Sequence, residues 1–206
     1  MKGLIKKDLF LLKNNWKTLI ILVFVYLACG TENDGIESFI VPFMMAMMCM
    51  STFSYDEYNK WDAYAVTLPG KKENIIKAKY VTAIILLFLG VILSFFLSIA
   101  MGTIKGNFDT WKTAEMVLAG LSSGLIVVSI MYPLIIKWGL EKGRIAIMLI
   151  SFSFAALITI VAKVGILNGT LSFLNDYGYT IFPLFTIILF AVSYLISKKI
   201  YLKKEF

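Results

Sequence analysis

The sequence contains no histidine, and only 16% of its 206 residues are charged. Without histidine, the chain can use neither Ser-His nor Cys-His catalysis, and no imidazole can ligate a metal ion. Soluble domains carry roughly 25% charged residues. Because 59% of this chain is hydrophobic, a soluble fold could not bury its apolar surface, and the composition predicts an integral membrane protein.

Cysteine, nucleotide-binding motifs and charges at membrane depth are also scarce or missing. Cys29 and Cys49 both lie in apolar runs, which indicates packing residues rather than a disulfide framework. No G-x-x-x-x-G-K-[ST] motif occurs, so the chain is not expected to bind ATP in that way or to be an enzyme. No Asp, Glu, Lys or Arg falls in the middle of an apolar run, which disfavours a proton-coupled carrier. A sodium-coupled carrier stays open, because backbone carbonyls can bind sodium.

The sequence contains six apolar runs, and a helix needs ~20 apolar residues to cross a bilayer. They predict a single all-α transmembrane domain over residues 1–206, with no cleaved signal peptide. The runs cover about residues 18–30, 36–54, 80–101, 114–136, 145–162 and 181–197.

The basic residues predict the orientation of these spans. Seventeen of them lie in residues 1–17, 55–79, 137–144 and 198–206, and only three lie in the alternate loops. Cytoplasmic loops carry the excess of Lys and Arg, so both termini and the 55–79 loop are expected in the cytoplasm. The outer loop 163–180 contains more apolar residues than a free loop in water is expected to have.

Residues 1–17 predict an amphipathic helix at the membrane interface. Leu4, Leu12 and other apolar residues fall on one arc, which Asp8 and Asn15 interrupt, while the lysines fall on the other. The lysines could face anionic head groups or serve only as a topology signal, and the two interpretations are compatible.

The stretch GLSSG, from Gly120 to Gly124, matches the G-x-S-x-G nucleophile pattern. That pattern requires a strand-turn-helix context and a histidine base, and the chain offers neither. The two glycines are better interpreted as a small-residue groove for close helix packing.

A methionine cluster lies in the second run. Thioethers could ligate copper(I), but no second Met/Cys cluster completes such a site. Flexible thioethers also form adaptable apolar surfaces. The favoured interpretation is therefore that these methionines line a conduit or a subunit interface. The cluster consists of Met44, Met45, Met47, Met48 and Met50.

The most polar long segment follows the second run. Residues 56–67 predict a short helix, Leu68-Pro69-Gly70 breaks it, and residues 71–79 restart a helix that continues into the third span. Trp61, Tyr64 and Leu68 supply apolar anchors within a charged rim, a composition typical of a protein-binding surface. The alternative interpretation is a solvated topology loop.

The pattern D-E-x-x-x-W-D-x-Y-x-x-x-L-P-G-K-K-E-x-I-x-x-A-K-Y begins at Asp56, and KKDLFLLKNNW precedes it at residues 6–16. Together they resemble the ABC-2 type transporter permeases. The resemblance is closest to small permeases of Gram-positive bacteria, such as the phenol-soluble modulin exporters. Lys60 departs from the family pattern, since many relatives have glycine there.

The resemblance implies a multi-pass protein of the bacterial cell membrane that pairs with a second permease in a homo- or heterodimer. It implies a separate ATPase subunit that binds ATP and Mg, with no cofactor in this chain, and a coupling helix in the 55–79 loop. The residues implied in ATPase coupling are Asp56, Glu57, Trp61, Tyr64, Leu68, Pro69, Lys71 and Lys72.

The expected function is therefore ATP-driven export of amphipathic peptides or other lipophilic molecules. A non-transporting immunity or sensor component that binds a toxin is the alternative. An intramembrane enzyme is disfavoured, because the spans lack histidine and buried carboxylates.

Overall fold

The computed structural model describes residues 2–13, 17, 20, 24, 36–67, 72–105, 110–150 and 168–203. The regular structure in these residues is helical throughout, which confirms the all-α prediction, and a further helical segment covers residues 140–150. The labelled helices are α1 Lys2–Lys13, α2 Ile36–Tyr58, α3 Trp61–Thr67, α4 Glu73–Lys105, α5 Thr110–Trp138 and α6 Asn168–Lys203.

Three of the described helices are long and apolar enough to cross a membrane: Glu73–Ala100, Thr110–Trp138 and Phe182–Lys203. They correspond to the predicted third, fourth and sixth spans, and α2 covers the predicted second run. Most of the first run and most of the fifth lie outside the described residues. A total of six spans therefore stays a prediction.

The last helix begins earlier than the sequence predicted. Residues 168–180 were predicted to lie in an outer loop, whereas α6 begins at Asn168 and is continuous to Lys203. Proline is the residue that most strongly ends a helix. None occurs between residues 168 and 180, and the helix accommodates Pro183 in its interior.

Helix α5 is the central helix of the described bundle. It packs against α2, α4 and α6, and 56% of its most apolar window is buried, against 33% for α4 and 22% for α6. The outer faces of α4 and α6 expose large apolar side chains such as Phe88 and Ile188. Such faces are expected where helices contact lipid.

Glycines allow α2 to approach both of its neighbours. A Cβ added at Gly124 of α5 would lie 2.7 Å from Leu87 and 3.3 Å from the Ala46 Cβ, and one at Gly90 of α4 would lie 3.0 Å from the Pro42 Cα. Gly120 is buried as well. This close approach is the geometry that the Gly120–Gly124 interpretation expects.

Candidate functional site

The lysine-rich segments of the sequence meet at one end of the bundle. Lys198 Nζ on α6 lies 3.0 Å from Glu73 Oε2 at the start of α4. Arg144 Nη2, in the segment after α5, donates to Ser54 Oγ near the end of α2 at 3.0 Å. Because these segments share one end, they are positioned on the same side of any membrane that the bundle crosses.

A cluster of four charged side chains, three of them buried, holds this end together. We call it the ionic cluster, and it consists of Lys7, Asp8, Asp56 and Lys79. Lys79 Nζ lies 2.5 Å from Asp56 Oδ2 and 3.1 Å from Asp8 Oδ1. Lys7 Nζ lies 2.5 Å from Asp56 Oδ1 and 3.2 Å from Asp8 Oδ1. The Thr52 carbonyl also accepts from Lys79, at 3.3 Å.

Burial makes the pairing in the ionic cluster necessary. Asp8 is 1% exposed, Lys79 4% and Asp56 6%, and a buried charge is costly unless an opposite charge and hydrogen bonds compensate it. The two lysines balance the two aspartates. Among the described residues, every buried side-chain nitrogen or oxygen atom has a hydrogen-bond partner. The cluster therefore fixes α1, α2 and α4 relative to one another.

Helix α1 docks on the bundle through the residue that interrupts its apolar arc. Asp8 and Leu12 are its buried residues, and it packs against α4 and α2. Phe10 is 71% exposed on the far side. A helix that lies only at the lipid interface would not bury an aspartate, so the structure adds a specific protein contact to the predicted interfacial helix.

The polar segment folds into what we call the knuckle, residues 55–67. The predicted helix over 56–67 is broken, because α2 extends to Tyr58 and α3 begins at Trp61. Lys60 has a φ of +49°, a conformation that only glycine adopts without cost. The Asn59 side chain donates to the Tyr55 carbonyl at 2.8 Å and helps to end α2.

The aromatic residues of the knuckle face two ways. Trp61 is half-buried against the core, and Lys7 Nζ lies 4.3 Å from its ring centroid, a cation–π distance. Tyr64, whose ring centroid is 5.4 Å from that of Trp61, is 57% exposed, and Tyr58 is 87% exposed. The solvent-facing aromatic surface is therefore Tyr58 and Tyr64 rather than Trp61.

Glu57 connects the knuckle to the chain that follows α5. Its Oε2 accepts a hydrogen bond from the backbone N–H of Leu140 at 2.9 Å. Gly139, between α5 and the segment 140–150, has a φ of +81°, and its N–H donates to the Ile135 carbonyl at 2.8 Å. This is a left-handed helix C-cap, the position that glycine favours.

A cavity of about 340 Å³ separates the knuckle from α5 and α6. Its lining is mostly apolar and includes charged side chains from the knuckle and α4. The lining residues are Phe53, Asp56, Glu57, Lys60, Ala63, Ile75, Ile76, Lys79, Ile135, Ile136, Gly139 and Tyr201.

An aromatic cluster supports the ionic cluster from the side of the bundle interior. The Tyr80 ring packs edge-on against Tyr132 of α5 and Phe190 of α6, with centroids 4.9 and 5.1 Å away. The Tyr80 hydroxyl lies 2.7 Å from Ser193 Oγ and 2.8 Å from Ser197 Oγ on α6. These contacts join three helices directly beneath Lys79.

The residues predicted for ATPase coupling do not form one exposed surface. Asp56 is buried between two lysines, so its carboxylate is not exposed for a partner. Lys72 is half-buried, and its carbonyl accepts from Ile75 N at 3.2 Å. Leu68, Pro69 and Lys71 lie outside the described residues. The coupling role of the whole set stays a prediction.

The methionine cluster is distributed around α2 rather than along one face. Met45 is buried against Gly90, Met48 and Met50 are half-buried against the core, and Met47 is 41% exposed. Positions spaced this closely cover all sides of a helix. Across the described ranges, no group of three or more His, Cys, Asp or Glu side chains is arranged to hold a metal ion.

Sequence reasoning missed three members of the ionic cluster: Lys7, Asp8 and Lys79. One signal was available, since an aspartate on the apolar arc of an amphipathic helix needs a buried cation as partner. Its partner could not be chosen from the sequence, because Lys79 lies 71 positions away.

The apolar helices define a membrane protein whose lysine-rich segments meet at one end. Residues 3–202 match the family model described as ABC-2 family transporter protein. The chain belongs to this family, and it is a membrane component of the permease type in an ABC transporter. No curated protein and no solved structure matches the chain significantly.

Proposed function

We propose that this chain is the permease subunit of an ATP-driven exporter and that the knuckle docks a separate ATPase subunit. The observation that carries the proposal is the two-sided knuckle. One side exposes Tyr58 and Tyr64, and the other side is tied to the spans through Asp56. A solvated loop would need neither feature.

The exposed tyrosines have the composition of an interface centre. Tyrosine and tryptophan carry much of the energy of protein–protein contacts, whereas charged rims chiefly tune encounter and specificity. Asn59 and Lys60 are exposed beside Tyr58 and Tyr64 and would form a polar rim around them. A partner that binds these rings would press on α3 and on the end of α2.

The rigid connection beneath the knuckle supports transmission of movement. Asp56 is one residue before Glu57 at the end of α2, and its carboxylate contacts both α1 and α4. Movement of α3 would therefore act on helices that enter the membrane. We propose that ATP-driven closure of the ATPase subunits moves the spans through these contacts, with a second permease completing a dimer.

The proposed cargo is an amphipathic peptide or another lipophilic molecule. The sequence has no charged residue between Tyr80 and Thr103, between Met116 and Ile136, or between Thr180 and Ser197. The buried polar groups in these stretches are hydroxyls such as Ser94, Ser129 and Thr186. A path of this kind suits apolar surfaces better than ions.

Copurification followed by ATP hydrolysis tests the proposal. The tagged chain should retain the ATPase subunit, and an amphipathic helical peptide should stimulate ATP hydrolysis of the complex in nanodiscs. A scrambled peptide without an apolar face is the control. Retention without stimulation by any peptide would favour a toxin-binding component without transport, and failure to retain an ATPase would refute the docking proposal.

A further inference from the structure

Glu57 lies where the knuckle meets the chain that leaves α5. Its carboxylate accepts the backbone N–H of Leu140, the first residue of the helical segment 140–150, at 2.9 Å. The first N–H groups of a helix have no partner within that helix. A carboxylate there also interacts favourably with the positive end of the helix dipole. Glu57 therefore holds the start of this segment from another part of the chain.

Gly139 makes this junction a pivot. Its positive φ turns the chain between α5 and the segment 140–150, and a Cβ at this position would lie 3.8 Å from Glu57 Oε1. The N–H of Gly143 returns to the Gly139 carbonyl at 3.0 Å and begins the new helix. A single residue separates the two helices, so the direction of the segment depends on this turn and on the bond from Glu57.

The neighbouring residue Asp56 holds a different set of elements. Successive side chains on a helix diverge by about 100°, so two adjacent carboxylates cannot face the same partner. Asp56 reaches Lys7 of α1 and Lys79 of α4, whereas Glu57 reaches the segment after α5. The end of α2 thus contacts three other parts of the chain through two consecutive residues.

The cavity described above gives the knuckle room to move. Ala63 of α3 lines one side of it, and Ile135 and Ile136 of α5 line another. A shift of α3 towards α5 would meet about 340 Å³ of space rather than packed side chains. Because α3 joins the end of α2 through Asn59 and Lys60, such a shift would pull on Glu57 and on its bond to the Leu140 N–H.

We propose that Glu57 is a positioning residue that transmits movement of the knuckle to the segment 140–150. This inference rests on the proposed function, in which an ATPase subunit docks on the knuckle. Asp56 contacts the N-terminal helix and α4, and Glu57 contacts the chain beyond α5. One docking surface thereby acts on both halves of the bundle.

Glutamine and alanine substitutions of Glu57 distinguish the effect of its hydrogen bond to Leu140 from the effect of its negative charge. The amide oxygen of Glu57→Gln can still accept from Leu140 N–H, whereas Glu57→Ala removes the acceptor. Spin labels at Lys142→Cys and Lys203→Cys, both at exposed positions, report the distance between the segment and the end of α6. The background carries Cys29→Ala and Cys49→Ala, and the complex contains a hydrolysis-deficient ATPase subunit with or without ATP-Mg.

The expected result is a nucleotide-dependent change of the spin-label distance in the unsubstituted background and in Glu57→Gln, and its loss in Glu57→Ala. Glu57→Ala should still retain the ATPase subunit and remain folded, with at most a small decrease in melting temperature, because it loses the hydrogen bond to Leu140. An equal distance change in Glu57→Ala, or no change in the unsubstituted complex, would overturn the inference. Loss of ATPase retention in Glu57→Ala would also overturn it, by showing a direct contact. Failure of the unsubstituted chain to retain the ATPase would instead refute the proposed function.

Discussion

Replacing Lys79 with methionine should destabilise the fold more than any substitution of an exposed lysine. The change removes the ammonium group that lies 2.5 Å from Asp56 and 3.1 Å from Asp8 and leaves a side chain of similar length. At an effective dielectric constant of about 20, each contact has a gross attraction of about 5–7 kcal/mol. Desolvation of the charges offsets several kcal/mol of that attraction.

The net loss in the free energy of unfolding depends on the two aspartates that remain in the cluster. Only Lys7, which is partly exposed, would then face two buried carboxylates. Removing one partner from a buried ion pair costs about 3–5 kcal/mol, and Lys79→Met should fall in that range. Thermal unfolding of the purified protein in one detergent, followed by tryptophan fluorescence, measures the effect.

Two companion variants make this test specific. Lys6→Met changes the net charge equally at an exposed position of α1, and surface charges contribute about 0–1 kcal/mol. The double variant Asp8→Asn, Lys79→Met removes one charge of each sign, so it should lose less than the sum of its single variants. Additive losses, or a Lys79→Met variant as stable as Lys6→Met, would refute the assignment of the ionic cluster as the element that fixes α1.

Three further predictions concern packing, backbone conformation and topology. Gly124→Leu should cost at least about 1–3 kcal/mol by overpacking against α2 and α4, whereas Gly3→Leu, with nothing within 4 Å of its added Cβ, should unfold near the wild-type temperature. Lys60→Gly should raise stability by up to about 1 kcal/mol, because glycine adopts the positive φ without the cost of about 1–2 kcal/mol that other residues pay; a lower unfolding temperature would contradict this. Asn59→Cys in intact cells should resist a membrane-impermeant thiol reagent, and labelling there would invert the proposed orientation.

Local sequence signals predicted the helices well. The apolar runs and the Pro69-Gly70 break located α2, α4 and α5 to within a few residues, since a buried or lipid-facing helix needs an uninterrupted apolar run. The lysine distribution predicted which segments share one end, and the contacts of Arg144 with Ser54 and of Lys198 with Glu73 agree with that grouping.

Long-range pairing could not be predicted in the same way. Asp8 needs a cation, yet the sequence offers 20 basic residues, and only the fold selects Lys7 and Lys79. The bond from Leu140 N–H to Glu57 spans 83 positions. Its donor is a backbone group, which every residue except proline has, so the type of residue at position 140 does not indicate the bond. The break at Lys60 was hidden because the residue at the left-handed position is not glycine.

Site-specific photocrosslinking most directly tests whether the knuckle docks an ATPase. A photoreactive phenylalanine analogue at Tyr64 should give, in intact cells, a crosslinked product that mass spectrometry identifies as this chain joined to a nucleotide-binding subunit. The same analogue at Trp111, exposed at the opposite end of α5, is the matched control and should give no such product. An ATPase crosslink from position 111 with none from position 64 would contradict the account.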